Sequence, residues 1–380
     1  MKTAIVTGDY YRAHETMVNR HVEHIFQGNT CIITGRFTGE NPYQKPVFER
    51  RARLSFNDIL IAAPAMLTNR IRYSTSRAPF GRRKDELRGF LRDNKVEAVL
   101  AEFGTQVLAI APLAREMDIP IFTYFRGSDA SKSLTRPAMV EAYRRCIPRL
   151  NGVFAVSQFL LDNLSSYGVQ TPNAHVIPSG VNVRRFVPQE KQPLSCVAVG
   201  RLIEKKAPLA TIRAFAEASK HLPEARLAVI GGGSLMGPAR ALVKELGLGD
   251  RVSLLGAQSH EVVRQHLATS EVFLQHSVLA SDGNAEGLPT AIQEAMACGC
   301  AIVSTRHAGI PEAVDDGVTG FLVAEHDEVG YTARLRDVLH DEGLRSSMGQ
   351  GANRTATERF DNDVLLKKLE GLMVATVQAR

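Results

Sequence analysis

Two glutamates, Glu286 and Glu294, stand on either side of Gly287-Leu288-Pro289 in a stretch that reads SVLASDGNAEGLPTAIQEAMACGC. Carboxylates accept hydrogen bonds from sugar hydroxyls, and a glycine between them lets a ligand reach the main chain. Pro289 is pre-set for the first turn of a helix, so a helix is predicted from about Pro289 to Gly299. Its unpaired N–H groups and its dipole favour a phosphate beside Glu286, with Glu294 in the second turn. The pair therefore suits a phosphorylated sugar. Taken alone, it reads more simply as two solvated surface glutamates.

Other clusters place charge or glycine at turns. Arg201, in Val199-Gly200-Arg201-Leu202, offers a planar fork for phosphate oxygens, and Lys206 a mobile point charge; together they form a diphosphate clamp. Ile230-Gly231-Gly232-Gly233 precedes a helix and could host a dinucleotide, but no acid stands at the end of the next strand to hold a ribose, which disfavours a dehydrogenase. Phe125-Arg126-Gly127-Ser128-Asp129 directly follows a predicted strand. Ligands of open α/β sheets lie beyond the carboxyl ends of strands, so this loop is a site candidate, and Asp129 also reads as a helix cap. His21 and His24 share a helix without a third ligand at metal-binding spacing and read as surface histidines. Asp361-Asn362-Asp363 resembles a metal-holding D-x-D but precedes an amphipathic stretch, where an aspartate is more simply an N-cap. No metal site is expected.

The elements that position these residues alternate between apolar, strand-like runs and amphipathic helices, the pattern of parallel sheets covered on both faces. In the first half the predicted strands are Thr3 to Thr7, Cys31 to Thr34, Val96 to Ala101, Pro120 to Tyr124 and Gly152 to Val156, with helices over Met17 to Phe26 and Gln106 to Met117. Val176 to Asn182 reads as a strand end and turn, and a linker follows near 185–193. The alternation then restarts with strands Cys196 to Val199, Arg226 to Ile230, Val252 to Leu255, Val272 to Leu274 and Ala301 to Thr305. Helices lie between them over Pro208 to Ala218, Pro238 to Leu246 and Glu261 to Ala268. The fold class is α/β.

At 380 residues the chain is long enough for two domains, and 44% hydrophobic with 23% charged residues is the balance of a folded protein. No apolar run approaches the ~18 residues of a membrane span, and Met1-Lys2 leads into a strand without a leader pattern, so a cytoplasmic protein is expected. The five cysteines are scattered through apolar segments and fit reduced core thiols. Charge is uneven: residues 1–183 carry net +8 and the remainder −2. A basic first half, densest at Arg50, Arg51, Arg53 and at Arg82, Arg83, Lys84, suits an anionic partner such as a membrane surface. Few aromatics interleave with these clusters, so a nucleic-acid partner is not expected.

Taken in order, Gly200-Arg201-Leu202 with Lys206, Ile230-Gly231-Gly232-Gly233, Glu286-Gly287-Leu288-Pro289 with Glu294-Ala295-Met296-Ala297-Cys298-Gly299, and Gly309-Ile310-Pro311-Glu312 resemble glycosyltransferase family 4. Asp282-Gly283-Asn284-Ala285 and the early Glu15-Thr16 resemble its bacterial exopolysaccharide, capsule and lipopolysaccharide members. The resemblance implies a GT-B architecture of two Rossmann-like domains facing across a cleft: an acceptor-binding domain over 1–185, a nucleotide-sugar domain over 186–360, and a C-terminal helix over 361–380 packing back on the first. It implies retaining, metal-independent transfer of a hexose from a UDP- or GDP-type nucleotide sugar, with no further cofactor, to a saccharide or lipid-linked acceptor. The enzyme would be cytoplasmic or peripheral on the membrane's inner face. Arg201 and Lys206 would hold the diphosphate, Glu286 the transferred sugar and Glu294 the ribose. Gly231, Gly232, Gly287, Leu288, Pro289, Gly309 and Ile310 would line the donor, and Asp129 and Glu15 would face the acceptor. Where the family commonly has His, this chain has Arg126, which is always protonated and can orient or stabilise but not act as a base. A GT-B-like phosphorylase or epimerase, and a basic nucleic-acid binder, are the alternatives.

Overall fold

The computed structural model describes residues 1–11, 16–50 and 56–379. They divide into two compact units, Met1–Ile177 with Leu366–Arg380, and Pro178–Leu365. The division falls at 177/178, ahead of the 185–193 linker.

The first unit is built on seven parallel strands: β1 (Thr3–Tyr10), β2 (Thr30–Phe37), β3 (Val47–Glu49), β4 (Ala98–Glu102), β5 (Ile121–Phe125), β6 (Gly152–Ala155) and β7 (Ala174–Val176). Their order is β3-β2-β1-β4-β5-β6-β7. The order turns between β1 and β4, and the crevice at such a turn is where ligands enter open α/β sheets. Strands β4 (AVLAE) and β5 (IFTYF) are buried at every position, as a sheet covered on both faces requires. The exception in kind is Glu102, a carboxylate at the end of β4, in register with Tyr124 of β5.

The second unit has six parallel strands: β8 (Ser195–Val199), β9 (Arg226–Ile230), β10 (Val252–Gly256), β11 (Val272–Gln275), β12 (Ala301–Thr305) and β13 (Gly320–Val323). Their order is β10-β9-β8-β11-β12-β13, turning between β8 and β11. Ile212 and Phe215 of helix Pro208–Ala218 are fully buried with Leu227, Leu274 and Val303, and each such side chain contributes about 1.5–3 kcal/mol.

The helix Pro208–Ala218 and the strands Arg226–Ile230 and Ala301–Thr305 fall where the sequence predicts them. The predicted helix Gln106 to Met117 is two short pieces, Gly104–Val107 and Ala111–Glu116, because Leu108 to Ile110 form turns and Pro112 restarts the helix. Helices Phe56–Tyr73 and Gly81–Asp93 went unpredicted; the first carries Pro64 within it, which breaks the periodic pattern.

Candidate functional site

In the second unit, the loops leaving β8 and β11 meet at the turn in strand order. Val278 N–H donates to Lys205 O at 3.0 Å, and Ser281 N–H and Oγ each donate to the Glu204 carboxylate at 2.8 Å. This fastening sets two lysines against one glutamate. Lys206 Nζ is 3.0 Å from Glu286 Oε1 and Lys205 Nζ is 3.4 Å from Oε2. Burial would raise the Glu286 carboxyl, but Lys206 and Lys205 outweigh it and bring it down to about 2, so Glu286 is ionised at neutral pH. Burial lowers Lys205 below the usual lysine range, against the pull of Glu286. Lys206 Nζ also donates to Gln275 Oε1 at 3.1 Å.

His307 supports this arrangement and was not anticipated from sequence. It accepts the Glu286 N–H on Nε2 at 3.0 Å, so its proton lies on Nδ1, 2.6 Å from Glu325 Oε1. Arg201 is exposed, with no carboxylate partner among the described residues, and lines a shallow hollow with Gly200, Lys206, Thr211 and Gln275.

Beyond Glu286, the helix runs Thr290–Ala297, and Pro289 stands just before it in an extended conformation instead of opening its first turn. Among the described residues nothing accepts from the N–H of Gly287 or Leu288. Gly309 N–H donates to Gly287 O at 3.1 Å, which brings the buried Gly309 and Ile310 beside this corner. Glu294, in the helix's second turn, is partly buried. Burial raises its carboxyl to about 7, offset only by the more distant charge of Arg185.

The glycines divide by role. A Cβ on Gly231 (φ +142°) would lie 1.9 Å from Gly200 O, and one on Gly233 (φ +153°) would lie 2.3 Å from Leu202 O. These two let the turns after β8 and β9 pack backbone to backbone, with Leu202 N–H donating to Gly232 O at 2.9 Å. Gly232 itself faces open space.

In the first unit, Arg126 lies just past β5 with its side chain 4% exposed and turned onto Glu102. Its Nε is 2.8 Å and its second terminal nitrogen 2.7 Å from Glu102 Oε2, and its guanidinium lies 4.1 Å from the centre of the Tyr124 ring. His21 Nδ1 is 2.5 Å from Glu102 Oε1. His21 is therefore buried, not the surface histidine expected, because Glu102 draws its ring inward; the sequence offered no signal linking positions 21 and 102. Burial would raise Glu102, but Arg126 and His21 hold it down at about 2. Asp129 is 2% exposed and accepts from the N–H of Gly104 (2.8 Å), Arg126 (3.0 Å) and Gly127 (2.9 Å). Burial nevertheless raises it. It fixes the loop's shape through these N–H groups and does not cap the helix that follows, Lys132–Thr135, which has Ser131 before its first turn. Glu15 lies outside the described residues.

Arg82, Arg83 and Lys84 pair with Glu86 or Glu116, so this basic cluster is neutralised locally. Arg50 donates to Thr7 O and Gln106 Oε1 within the first unit, and Arg51 and Arg53 lie outside the described residues. Asp361 accepts from Asp363 N–H at 2.8 Å where helix Asn362–Gln378 begins, as a cap does. All five cysteines are buried and free. Among the described residues no three His, Cys, Asp or Glu are grouped to hold a metal.

Residues 182–355 match the family model "Glycosyl transferases group 1", and residues 41–185 match "Glycosyltransferase Family 4". The chain is 30% identical to the putative colanic acid biosynthesis glycosyltransferase WcaL of Salmonella typhimurium, over 73% of this chain and 70% of that protein. It is 31% identical to the amylovoran biosynthesis glycosyltransferase AmsK of Erwinia amylovora, over 66% of this chain and 63% of that protein. Its fold is similar to that of Anabaena HepE in complex with UDP-glucose, with TM-score 0.77 at 15% identity, covering 98% of this chain and 99% of that one. A sucrose-phosphate synthase from Thermosynechococcus elongatus gives TM-score 0.75 at 14% identity, with both chains covered completely.

Proposed function

The chain belongs to glycosyltransferase family 4, with the GT-B fold, and from this premise we propose that it is a retaining, metal-independent hexosyltransferase of exopolysaccharide synthesis that uses a UDP- or GDP-type nucleotide sugar. What supports the donor assignment is the set of groups converging where β8 and β11 end. Arg201 and Lys206 would take the diphosphate, with the Gly287 and Leu288 N–H groups as further donors to its oxygens. Glu286, kept ionised by its lysines, would accept from hydroxyls of the hexose. Glu294 would accept from the ribose, and Gly309 and Ile310 would lie along the base. Gly231 would act by holding the phosphate turn, and Gly232 is the glycine of that turn left open to a ligand.

In this mechanism the acceptor hydroxyl attacks the anomeric carbon on the face from which the nucleoside diphosphate departs. The bond from carbon to phosphate oxygen breaks with its electron pair on the diphosphate, and that oxygen takes the hydroxyl's proton. Cationic groups beside the leaving diphosphate supply the electrostatic stabilisation. The test is incubation with UDP- and GDP-hexoses in EDTA, with a saccharide acceptor, reading nucleoside diphosphate release and the product's anomeric configuration by proton NMR. Retention with activity in EDTA is expected. An inverted product, or activity abolished by EDTA, overturns the respective part.

A cytoplasmic enzyme peripheral on an anionic membrane is part of the same proposal, with a lipid-linked acceptor as the reason. No helix among the described residues is long and apolar enough to cross a membrane. What supports peripheral binding is helix Phe56–Tyr73, where Met66, Leu67 and Ile71 are 40%, 59% and 68% exposed. Beside it, Arg70, Arg77 and Arg136 line one hollow and Arg72, Arg115 and Arg149 the next, the two hollows sharing Thr75 and Leu108. Among the described residues none of these six has a carboxylate partner, in contrast to the paired Arg82, Arg83 and Lys84. An exposed apolar stripe on a helix that also contributes uncompensated arginines suits an anionic lipid surface.

A further inference from the structure

The ion pair between Arg126 and Glu102 is sealed within the first unit, where removing two charges from water costs about as much as their attraction returns. Its geometry is more informative than its energy. Arg126 uses two nitrogens on one oxygen, Oε2, at 2.8 and 2.7 Å, and leaves Oε1 to His21 at 2.5 Å. The guanidinium is stacked on Tyr124, whose ring centre is also 5.7 Å from that of His21. Tyr124 of β5, Arg126 just past that strand and Glu102 of β4 are thus, among the described residues, ionisable groups that surround this imidazole.

A carboxylate holding a guanidinium is ionised and can only accept hydrogen bonds. His21 Nδ1 must then carry a proton, and with that one proton alone the ring keeps its lone pair on Nε2. No described residue donates to Nε2. The His21 side chain keeps 11% exposure, so it is not closed off from solvent. Glu102, which fixes the ring, ends β4, one of the two strands flanking the turn in strand order where an open α/β sheet receives a ligand.

We propose that His21 Nε2 accepts a hydrogen bond from a hydroxyl of the saccharide acceptor, with Glu102 as the positioning residue that fixes the tautomer and Arg126 as the counter-charge that keeps Glu102 ionised. Arg126 thus serves the site by holding the Glu102 carboxylate that orients the imidazole, and does not itself present a cation to the sugar. This role rests on the glycosyl-transfer function proposed above, with the acceptor in the first unit.

The test uses the full chain with ¹⁵N-labelled histidine. In the wild type, the His21 resonances, identified by their loss in His21→Gln, should show the proton on Nδ1 and move when a saccharide acceptor is added. His21→Leu should raise the acceptor KM by about tenfold, the worth of one hydrogen bond, and leave thermal stabilisation by nucleotide unchanged. His21→Gln, whose amide oxygen reaches near the same place, should recover part of the loss. Glu102→Gln is the sharper probe. Arg126 would claim the amide oxygen, the NH₂ would then face His21 Nδ1, and the imidazole proton would move to Nε2. The tautomer should flip, and the acceptor KM should rise as in His21→Leu.

A wild-type proton on Nε2 overturns the proposal. So does a wild-type acceptor KM in His21→Leu, or in a Glu102→Gln variant whose tautomer has flipped. If the variants do not fold, the wild-type tautomer and its response to saccharide still decide. If no nucleotide sugar supports transfer, the function proposed above fails separately, while the saccharide response of the His21 resonances continues to report on this site.

Discussion

Replacing Glu294 by glutamine should make the ligand-free protein more stable and a poorer binder of nucleotide. Burial without a close cation moves this carboxyl from 4.5 to about 7, a displacement corresponding to ~3 kcal/mol. The folded-state value lies above the unfolded one, so the folded protein holds the proton more tightly. The associated stability is fully present below pH 4.5 and is lost as the pH rises through 7. Glu294→Gln removes the titration while keeping the shape. The variant and wild type should therefore be equally stable near pH 4, diverge from about pH 5, and differ by up to ~3 kcal/mol at pH 8, or roughly 6–12 °C in melting temperature for a unit of this size. Working with the difference between two proteins cancels every other titrating group. Nucleotide should invert the ranking: Glu294 must be ionised to accept from ribose hydroxyls, so binding to the wild type should release a proton around pH 6–7, seen as a buffer-dependent calorimetric enthalpy. The variant should lose about 10- to 100-fold in affinity, the worth of hydrogen bonds to a charged acceptor. A variant no more stable than wild type at pH 8, or a gap of the same size at pH 4 and pH 8, would refute the reasoning.

Lys206→Ala leaves Glu286 with Lys205 as its remaining ammonium partner; the ligand-free protein should lose about 3 kcal/mol by urea denaturation, and transfer should fall at least tenfold. Gly231→Ala drives a Cβ to 1.9 Å from Gly200 O and should lower the melting temperature sharply, whereas Gly232→Ala, with open space around its Cβ, should stay within about 0.5 kcal/mol of wild type; equal effects would show that the two turns are not interlocked. Leu67→Ser with Ile71→Ser should abolish cosedimentation with anionic vesicles, and wild-type binding should weaken in high salt and be absent with neutral vesicles. Equal binding to neutral vesicles would count against the membrane face.

Much of the second unit was legible because its signals are local. Ala301–Thr305 is a continuous apolar run, and the alternation from Ser195 onward carries few interruptions. The placing of Glu286 and Glu294 about the helix start also follows from local spacing, since Pro289 and Gly299 mark that helix at both ends. What escaped depends on pairing distant residues. Nothing in a linear reading joins His21 to Glu102, or His307 to Glu325, and a histidine on an amphipathic helix looks like a surface residue until a buried carboxylate is found opposite. The arginine at 126 was visible as a departure, but its partner was not, because Glu102 sits at the end of an otherwise apolar strand. Charge clustering misled for a related reason: Arg82 to Lys84 are dense in sequence but paired in space, whereas the uncompensated arginines come from five separate stretches between positions 70 and 149.

The first unit takes strands from the start of the chain and closes with the segment Leu366–Arg380, where Glu370 accepts the Phe26 N–H at 2.5 Å and Thr376 receives a hydrogen bond from Asn173 at 3.0 Å. On the ribosome the order of making and the order of completion are therefore reversed. The first unit emerges ahead of the second yet waits for the segment Leu366–Arg380, about 10–40 s later at ordinary synthesis rates. The second unit has all its strands by Val323, before that segment is made. A nascent first unit with an uncovered seam is the species that a chaperone would meet, and loss of the segment Leu366–Arg380 should disturb the strands of Met1–Ile177 before it disturbs the neighbouring second unit.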